Sequence, residues 1–566
     1  MNSVIDTTVI VVFSVFIMII GLLFSRTGRN LKSFFAGGEA VPWFIGGLSL
    51  FMSFFSAGTF VAWGSIAYKY GWVAVTIQWT MCIGGLVTGL YIAPKWKATG
   101  SLTAAEFIKD RLGENVQKSF IYIFMLVSLF IKGSVLYSVS KLVGSSLEFP
   151  LIPVTLVLGI FMIAYTAVGG LWAVMVTDIL QFVILTTAVL LIIPLAFTEA
   201  GGVHSFVSKV PDHFFEAVNG EYTWGFIAAF ALYHIFYIGG NWTFVQRYTS
   251  VDTPKSASKV AFLFAGLYIV SPVLWMLPPM IYQTINPGLT GLETENAYLM
   301  VCKQVLPAGL MGLILTGMYF STSASANTAL NVVSAVFTND VYKGTINPGA
   351  SDEKLMKVAR TSSWCFGFGM ILIALIVPYI GGIVEFTLSV GAITGGPLLA
   401  PPIWALFSKR ITGKATIFIT MISLAVNLIF KIVLPLLTDD KLSRANEMLL
   451  GVLLPFVLLL AYEIYAAAKG KLSAEYLDLQ LRKAVRDAKV IVVDEKEAAE
   501  IKRQNKFGLQ VISFSLGFIA LMLYILCAFT AKGTVMVAVI ATIILLSAWI
   551  PYHASKKNTE ALAPIE

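Results

Sequence analysis

The sequence predicts an all-α polytopic membrane protein, and three observations carry that prediction. The 566-residue chain is 57% hydrophobic and only 12% charged, against roughly 25% charge in a soluble globular domain. Apolar runs of about 17–25 residues, each long enough to cross a bilayer as a helix, recur along the whole chain. Basic residues collect in alternate connections between these runs, which is the bias that distinguishes the two faces of a membrane.

Fifteen segments meet the requirement. Thr8–Phe24 has no basic residues ahead of it, unlike a signal peptide, and reads as a retained helix. Val41–Ala67, Trp72–Ala93, Phe120–Val143, Leu151–Val168 and Val176–Phe197 follow, then Trp224–Val245, Val260–Tyr282, Leu306–Thr338, Trp364–Ile380 and Ile383–Phe407. Ala415–Leu437, Met448–Ala467, Leu509–Phe529 and Val535–Ile550 complete the series. Connections after odd-numbered segments are basic: Arg26, Arg29 and Lys32; Lys95, Lys97, Lys109 and Arg111; Arg247, Lys255 and Lys259; Lys343, Lys354, Lys357 and Arg360; Lys409, Arg410 and Lys414. Those after even-numbered segments carry Glu199, Asp212 and Glu216, then Glu293 and Glu295, then Asp439 and Asp440. The positive-inside rule then puts the N-terminus outside and the C-terminus inside.

The charged stretch Lys469 to Lys506 is the one sizeable polar piece, and Ala474 to Ile501 within it suggests short amphipathic helices on the cytoplasmic surface. Net charge +8 reflects such loop residues, not nucleic-acid binding. Cys82, Cys302, Cys365 and Cys527 are far apart and lack metal-ligand spacing. With no phosphate-binding loop, catalytic triad or His/Cys cluster, the chain does not read as an enzyme, and no obligatory protein partner is evident.

Polar groups inside the spans are costly, so each is a candidate for function, although small and hydroxylated residues also serve helix packing. Ser321, Thr322, Ser323, Ser325, Asn327, Thr328, Asn331 and Ser334 crowd neutral oxygens, the ligands of a hard cation such as Na⁺, into one apolar segment. Ser49, Ser53, Ser56, Gly58 and Thr59 interrupt the second segment, as a broken helix would require. In the seventh, Gly239-Gly240 permits unwinding beside His234, Tyr237, Asn241 and Gln246. Gln78 sits in the third segment and could hydrogen-bond a hydroxylated solute. Lys132 sits in the fourth and could face an anionic one, or snorkel or pair with a carboxylate. Asp178 is read three ways: a cap for a helix beginning near Val176, a sodium ligand, or a charge partner on an ion path.

At these residues the chain resembles the sodium/solute symporter family of sodium–sugar, sodium–proline and sodium–sialic acid transporters. The signatures are Gly169-Gly-x-x-Ala-Val-x-x-Thr-Asp-x-x-Gln181, Asn241-x-x-x-x-Gln-Arg247, and Ser325 through Asn331 to Asp340-Val-Tyr342. The resemblance covers about Thr8 to Ala467. It implies a LeuT-like core of two inverted five-helix repeats, each opening with a broken helix, and a solute near the midplane. The expected layout is an extra helix and loop over 1–40, repeats over 41–200 and 201–408, and two further helices over 409–468. A charged cytoplasmic segment over 469–507 and two last helices over 508–566 follow.

The resemblance further implies a sodium site made by the carbonyls of Met52 and Phe55 with Ser321, Ala324 and Ser325. Relatives often have two adjacent hydroxyls where this chain has Ala324-Ser325, so one ligand is absent or supplied by Ser321. A second sodium would take Asp178, Asn327 and Thr328. Solute positions fall on Ser56, Thr59, Gln78, His234 and Tyr237, with Tyr237 as an aromatic inner gate. Sugar-transporting relatives have Asn where this chain has His234, and a Gln near Leu388 or Ser389. Sialic acid carriers have an Arg where this chain has Ile131, beside Lys132. The expected function is sodium-coupled symport of a small organic solute, a sugar or sugar acid first, across the plasma (inner) membrane. An amino-acid symporter, a proton-coupled carrier, a channel and a transporter-like sensor are the alternatives.

Overall fold

The computed structural model describes residues 3–24, 39, 41–101, 103–165, 171–307, 309–438, 442–488, 495–529 and 533–560. Among them there is no strand. The chain opens with α1 (Ser3–Phe24), α2 (Trp43–Met52), α3 (Gly64–Tyr70), α4 (Val73–Val87), α5 (Glu114–Leu147), α6 (Leu151–Tyr165) and α7 (Leu171–Glu199). It continues with α8 (Trp224–Gly240), α9 (Trp242–Thr249), α10 (Pro254–Ile285), α11 (Leu310–Val336), α12 (Asp352–Ile376) and α13 (Gly382–Phe407). Then come α14 (Gly413–Leu428), α15 (Arg444–Ala468), α16 (Ala474–Ala488), α17 (Glu495–Cys527) and α18 (Thr534–Ser547). Among the described residues ten helices are long and apolar enough to cross a membrane, and five shorter apolar helices fall on the remaining expected segments.

Local chemistry explains the helix starts. Thr223, Thr253, Ser351, Thr412 and Ser443 each accept a hydrogen bond from the backbone N–H three residues on, satisfying a donor that the helix itself leaves open. The start of α11 is capped from another helix instead. Asp6 of α1 is fully buried, and its Oδ1 accepts from Gly309 N at 2.9 Å and Gly312 N at 3.2 Å. A carboxylate there also meets the positive end of the α11 dipole. Only glycine permits the approach, since a Cβ on Gly312 would lie 2.3 Å from the Asp6 carbonyl oxygen.

Two helices are interrupted. α2 stops at Met52, and after Ser53–Ser56 the chain resumes through a wide turn, Thr59–Trp63, into α3. Side chains replace the missing ladder: Thr59 Oγ1 accepts from Ser56 N at 3.3 Å and donates to the Phe54 carbonyl at 3.2 Å, while Gly58 N donates to Ser56 Oγ at 3.2 Å. The second interruption lies at Asn241, which is extended and whose Oδ1 accepts from Thr243 N at 3.0 Å to start α9. The Gly239-Gly240 pair is thus not the break. Both glycines are helical and tightly packed; a Cβ on Gly240 would lie 2.9 Å from the Leu399 carbonyl oxygen.

α8 packs on α4, α13 and α15, while α2 packs on α7, α10 and α9, so the two broken helices meet at the centre of the bundle. α17 and α18 pack with α1 and α7 in a separate apolar cluster. Among its described residues the charged segment divides between two helices: α16 is a separate amphipathic helix, and residues from Glu495 onward belong to the long helix α17 that runs on into the apolar segment.

Candidate functional site

Two adjoining cavities lie around the broken helices. One, of about 180 Å³, is lined by Ser56, Thr59, Lys132, His234 and Tyr237, with aromatic walls from Phe54, Trp63, Phe230, Tyr233 and Phe386. The other, of about 100 Å³, is lined by Met52, Lys132, Asp178, Tyr237, Arg247 and Ser321. Ser53, Phe124, Val127, Ile131, Lys132, Tyr237 and Asn241 belong to both linings, so these residues form the partition. The Tyr237 ring stacks on Tyr233 at 5.4 Å and meets Phe54 edge-on at 5.6 Å, which fixes it at that partition.

α11 reaches the first break directly. Ser321 Oγ donates to the Phe55 carbonyl at 2.7 Å, and Ala57 N donates to Thr322 Oγ1 at 3.1 Å. Thr322, which the sequence reading left without a role, thereby tethers the resumed half of the broken helix. The Met52 carbonyl accepts from Phe55 N at 2.9 Å. Met52, Phe55 and Ser321 are therefore brought together, all of them buried. The side chains of Ala324, Ser325, Asn327 and Thr328 lie outside the described residues, although their backbone continues α11. Ser334 bonds Ser362 of α12 at 3.0 Å, away from the break.

The second cavity ends on a buried charge network. Ser49 Oγ of α2 donates to Asp178 Oδ2 of α7 at 2.6 Å, and Arg247 of α9 lies with Nη2 3.7 Å from that same oxygen. Arg247 Nε also donates to Ser49 Oγ at 3.3 Å, and Nη1 donates to the Thr243 carbonyl at 3.0 Å. Asp178 does not cap a helix, because α7 begins at Leu171 and places it two turns inside. Arg247 is not a solvated loop charge either; it is 3% exposed. Position alone put it among the loop residues, but its place six residues after Asn241, one and a half turns into α9, holds it inside.

His234 is buried, with Nδ1 2.7 Å from Thr80 Oγ1 of α4. The Thr80 hydroxyl has one proton and gives it to the Ile77 carbonyl at 2.5 Å. It therefore accepts from His234 Nδ1–H, which leaves Nε2 as the acceptor of a neutral ring. Gln78 is equally buried but lines neither cavity; among the described residues its Nε2 has no partner.

Beyond Ile383, which lines the larger cavity, lies a buried carboxylate, Glu295. Glu295 accepts from Tyr137 at 2.8 Å and from Lys141, and its other oxygen accepts from Ile383 N at 3.0 Å at the start of α13. Above it Arg444 pairs with Glu221 and Glu385, and Lys431 with Glu385 and Glu447.

The family model for the sodium:solute symporter family matches residues 34–423, more than half of the chain. The chain belongs to this family. As in other sodium:solute symporters, sodium is the coupling ion, and the protein is a multi-pass membrane transporter, not an enzyme. Among its relatives, the sodium/glucose cotransporter of Vibrio parahaemolyticus is 27% identical over 469 residues, spanning 76% of this chain and 85% of the relative. Sodium/glucose cotransporter 1 of Mus musculus is 25% identical, over 72% and 69% of the two chains. The substrate-bound, outward-open structure of a Na⁺-coupled sialic acid symporter matches with a TM-score of 0.67 at 20% identity, covering 82% of this chain and 98% of that one. That likeness establishes the LeuT-like fold expected of a symporter of this family.

Proposed function

We propose that this symporter imports a sugar or sugar acid across the plasma membrane, with sodium bound where α11 meets the break in α2. The carrying observation is the Ser321 Oγ to Phe55 carbonyl contact of 2.7 Å. Two oxygens from two different helices converge there, one hydroxyl and one carbonyl at the end of a broken helix. A sodium ion takes both as ligands when the hydroxyl proton turns aside. Met52 supplies a further carbonyl, and Ser325 the hydroxyl that the family pattern assigns. The ion then joins the broken helix to α11 and sets the orientation of Ser56 and Thr59, four residues or fewer away.

The solute would occupy the larger cavity. Its aromatic walls suit the C–H faces of a sugar ring, and its few polar groups suit hydroxyls. His234 Nε2 accepts from a solute hydroxyl, Ser56 and Thr59 offer oxygens, and Lys132 brings positive charge for an acidic group. Coupling follows because sodium and solute both favour the arrangement in which the broken helix is braced, so each raises the affinity for the other. With the N-terminus outside, the Asp178–Arg247 end faces the cytoplasm and Tyr237 closes the inward route. Sodium lost to a low-sodium cytoplasm loosens the break and releases the solute, aided by the membrane potential at about 2.3 kcal/mol per charge per 100 mV.

Two measurements test this reading. Thermal unfolding of purified protein in sodium buffer, screened with sugars, sugar acids and amino acids, should show stabilisation by a sugar or sugar acid. A shift confined to amino acids overturns the solute class. Uptake of the stabilising compound into proteoliposomes should collapse when potassium replaces sodium.

A further inference from the structure

A separate cavity of about 240 Å³ lies at the Arg247 end of the bundle and shares no lining residue with the two site cavities. It forms where the short helices Ala93–Thr99 and Ala104–Leu112 meet the end of α13 and the amphipathic α16. Among the described residues its lining carries Lys95, Arg111, Lys409 and Lys483 and no carboxylate.

Arg111 is the unusual member. It is 1% exposed, and all its partners are neutral. Nη1 donates to the Ile411 carbonyl and to Ser473 Oγ, each at 3.2 Å, and Nη2 donates to the Ser408 carbonyl at 2.8 Å. Among the described residues its Nε–H has no partner. The carboxylates nearby are engaged elsewhere: Glu475 accepts from Gly413 N at 3.2 Å, and Glu463 holds Arg410 and Ser408. Burial consequently pulls the guanidinium below its ordinary pKa, with Glu475 offsetting only part of that. A buried guanidinium without a carboxylate in contact is destabilising unless an anion completes it.

We propose that this cavity binds a phosphate group, with Arg111 supplying the forked donor and Lys95, Lys409 and Lys483 the point charges. Arginine suits the planar, multiple bonding that phosphate offers, and basic pockets at the cytoplasmic ends of helices suit anionic headgroups. The same chemistry is presented by a free phosphate and by an anionic phospholipid. Because Arg111 also holds Ser408 just after α13 and Ser473 just before α16, a bound phosphate would fasten the amphipathic helix to the end of the transport core.

The test uses the full chain, purified in neutral detergent. Inorganic phosphate is titrated at constant ionic strength in one arm. Phosphatidylglycerol is titrated against phosphatidylcholine in mixed micelles in the other. A saturable rise of the unfolding midpoint is expected in at least one arm. A rise with phosphate assigns a soluble ligand, and a rise with phosphatidylglycerol alone assigns a headgroup. The double variant Lys409→Gln/Lys483→Gln changes side chains that are not buried and should fold, yet its apparent affinity should fall at least tenfold. No rise in either arm, or a rise undiminished in the variant, overturns the proposal.

Discussion

Arg247 Nη2 and Ser49 Oγ converge on one carboxylate oxygen of Asp178, at 3.7 Å and 2.6 Å, in the buried space between α2, α7 and α9. The three residues come from the first half of one broken helix, the second half of the other, and α7. The network therefore locks both broken helices to α7 at the Arg247 end. Removing one partner leaves an uncompensated buried charge, at a cost of about 3–5 kcal/mol. Asp178→Asn and Arg247→Gln should each lower the unfolding midpoint strongly. The double variant should be more stable than the sum of the single losses predicts, by at least about 1 kcal/mol. Additive losses would show that the pair is not coupled.

Ser321 offers a cleaner probe of the sodium site than any carboxylate, because its loss leaves no charge behind. Ser321→Ala removes the donor to the Phe55 carbonyl and, on the proposed reading, one sodium ligand. The sodium concentration for half-maximal uptake should rise about tenfold, equivalent to about 1.4 kcal/mol. Ser334→Ala, which loses the bond to Ser362 away from the break, should leave the sodium requirement within about twofold. Equal effects of the two would remove Ser321 from the site.

Thr80 holds Nδ1 of His234, a residue of the larger cavity's lining, although Thr80 itself lines neither cavity. Thr80→Val removes the acceptor for Nδ1–H and frees the ring to change tautomer. The solute KM should rise about fivefold or more, while the sodium dependence measured at saturating solute stays put. His234→Gln, which still presents an acceptor, should retain more transport than His234→Phe. If the two His234 variants behave alike, the imidazole makes no polar contact with the solute.

Sequence patterning showed the helices and where the first break lies, because apolar length and clustered hydroxyls are local properties. It misjudged the second break, where two adjacent glycines look flexible but are held helical by Ile92 and Leu399 pressing against them. It also left unseen that Arg247 and Arg111 are buried. Whether an arginine is solvated depends on what other helices place around it, here Asp178 with Ser49 and the carbonyls of Ser408 and Ile411. Likewise Gln78 carries the right chemistry for a sugar hydroxyl, yet helical phase turns it away from the cavity while His234 and Tyr237, three residues apart on α8, both reach it.

Tyr237 separates the two cavities, and its contribution there is chiefly the ring. The stack on Tyr233 and the edge contact with Phe54 need the aromatic plane and not the hydroxyl. Tyr237→Phe should accordingly preserve coupled uptake within a few fold. Tyr237→Ala should open a path between the larger cavity and the Asp178–Arg247 cavity, so that on the proposed reading sodium and solute lose their order of release. Proteoliposomes carrying Tyr237→Ala should show a sodium leak without solute and a lower ratio of solute to sodium moved, measured with isotopic tracers of both. A ratio equal to that of the unmodified protein would mean that some other element closes the inward route.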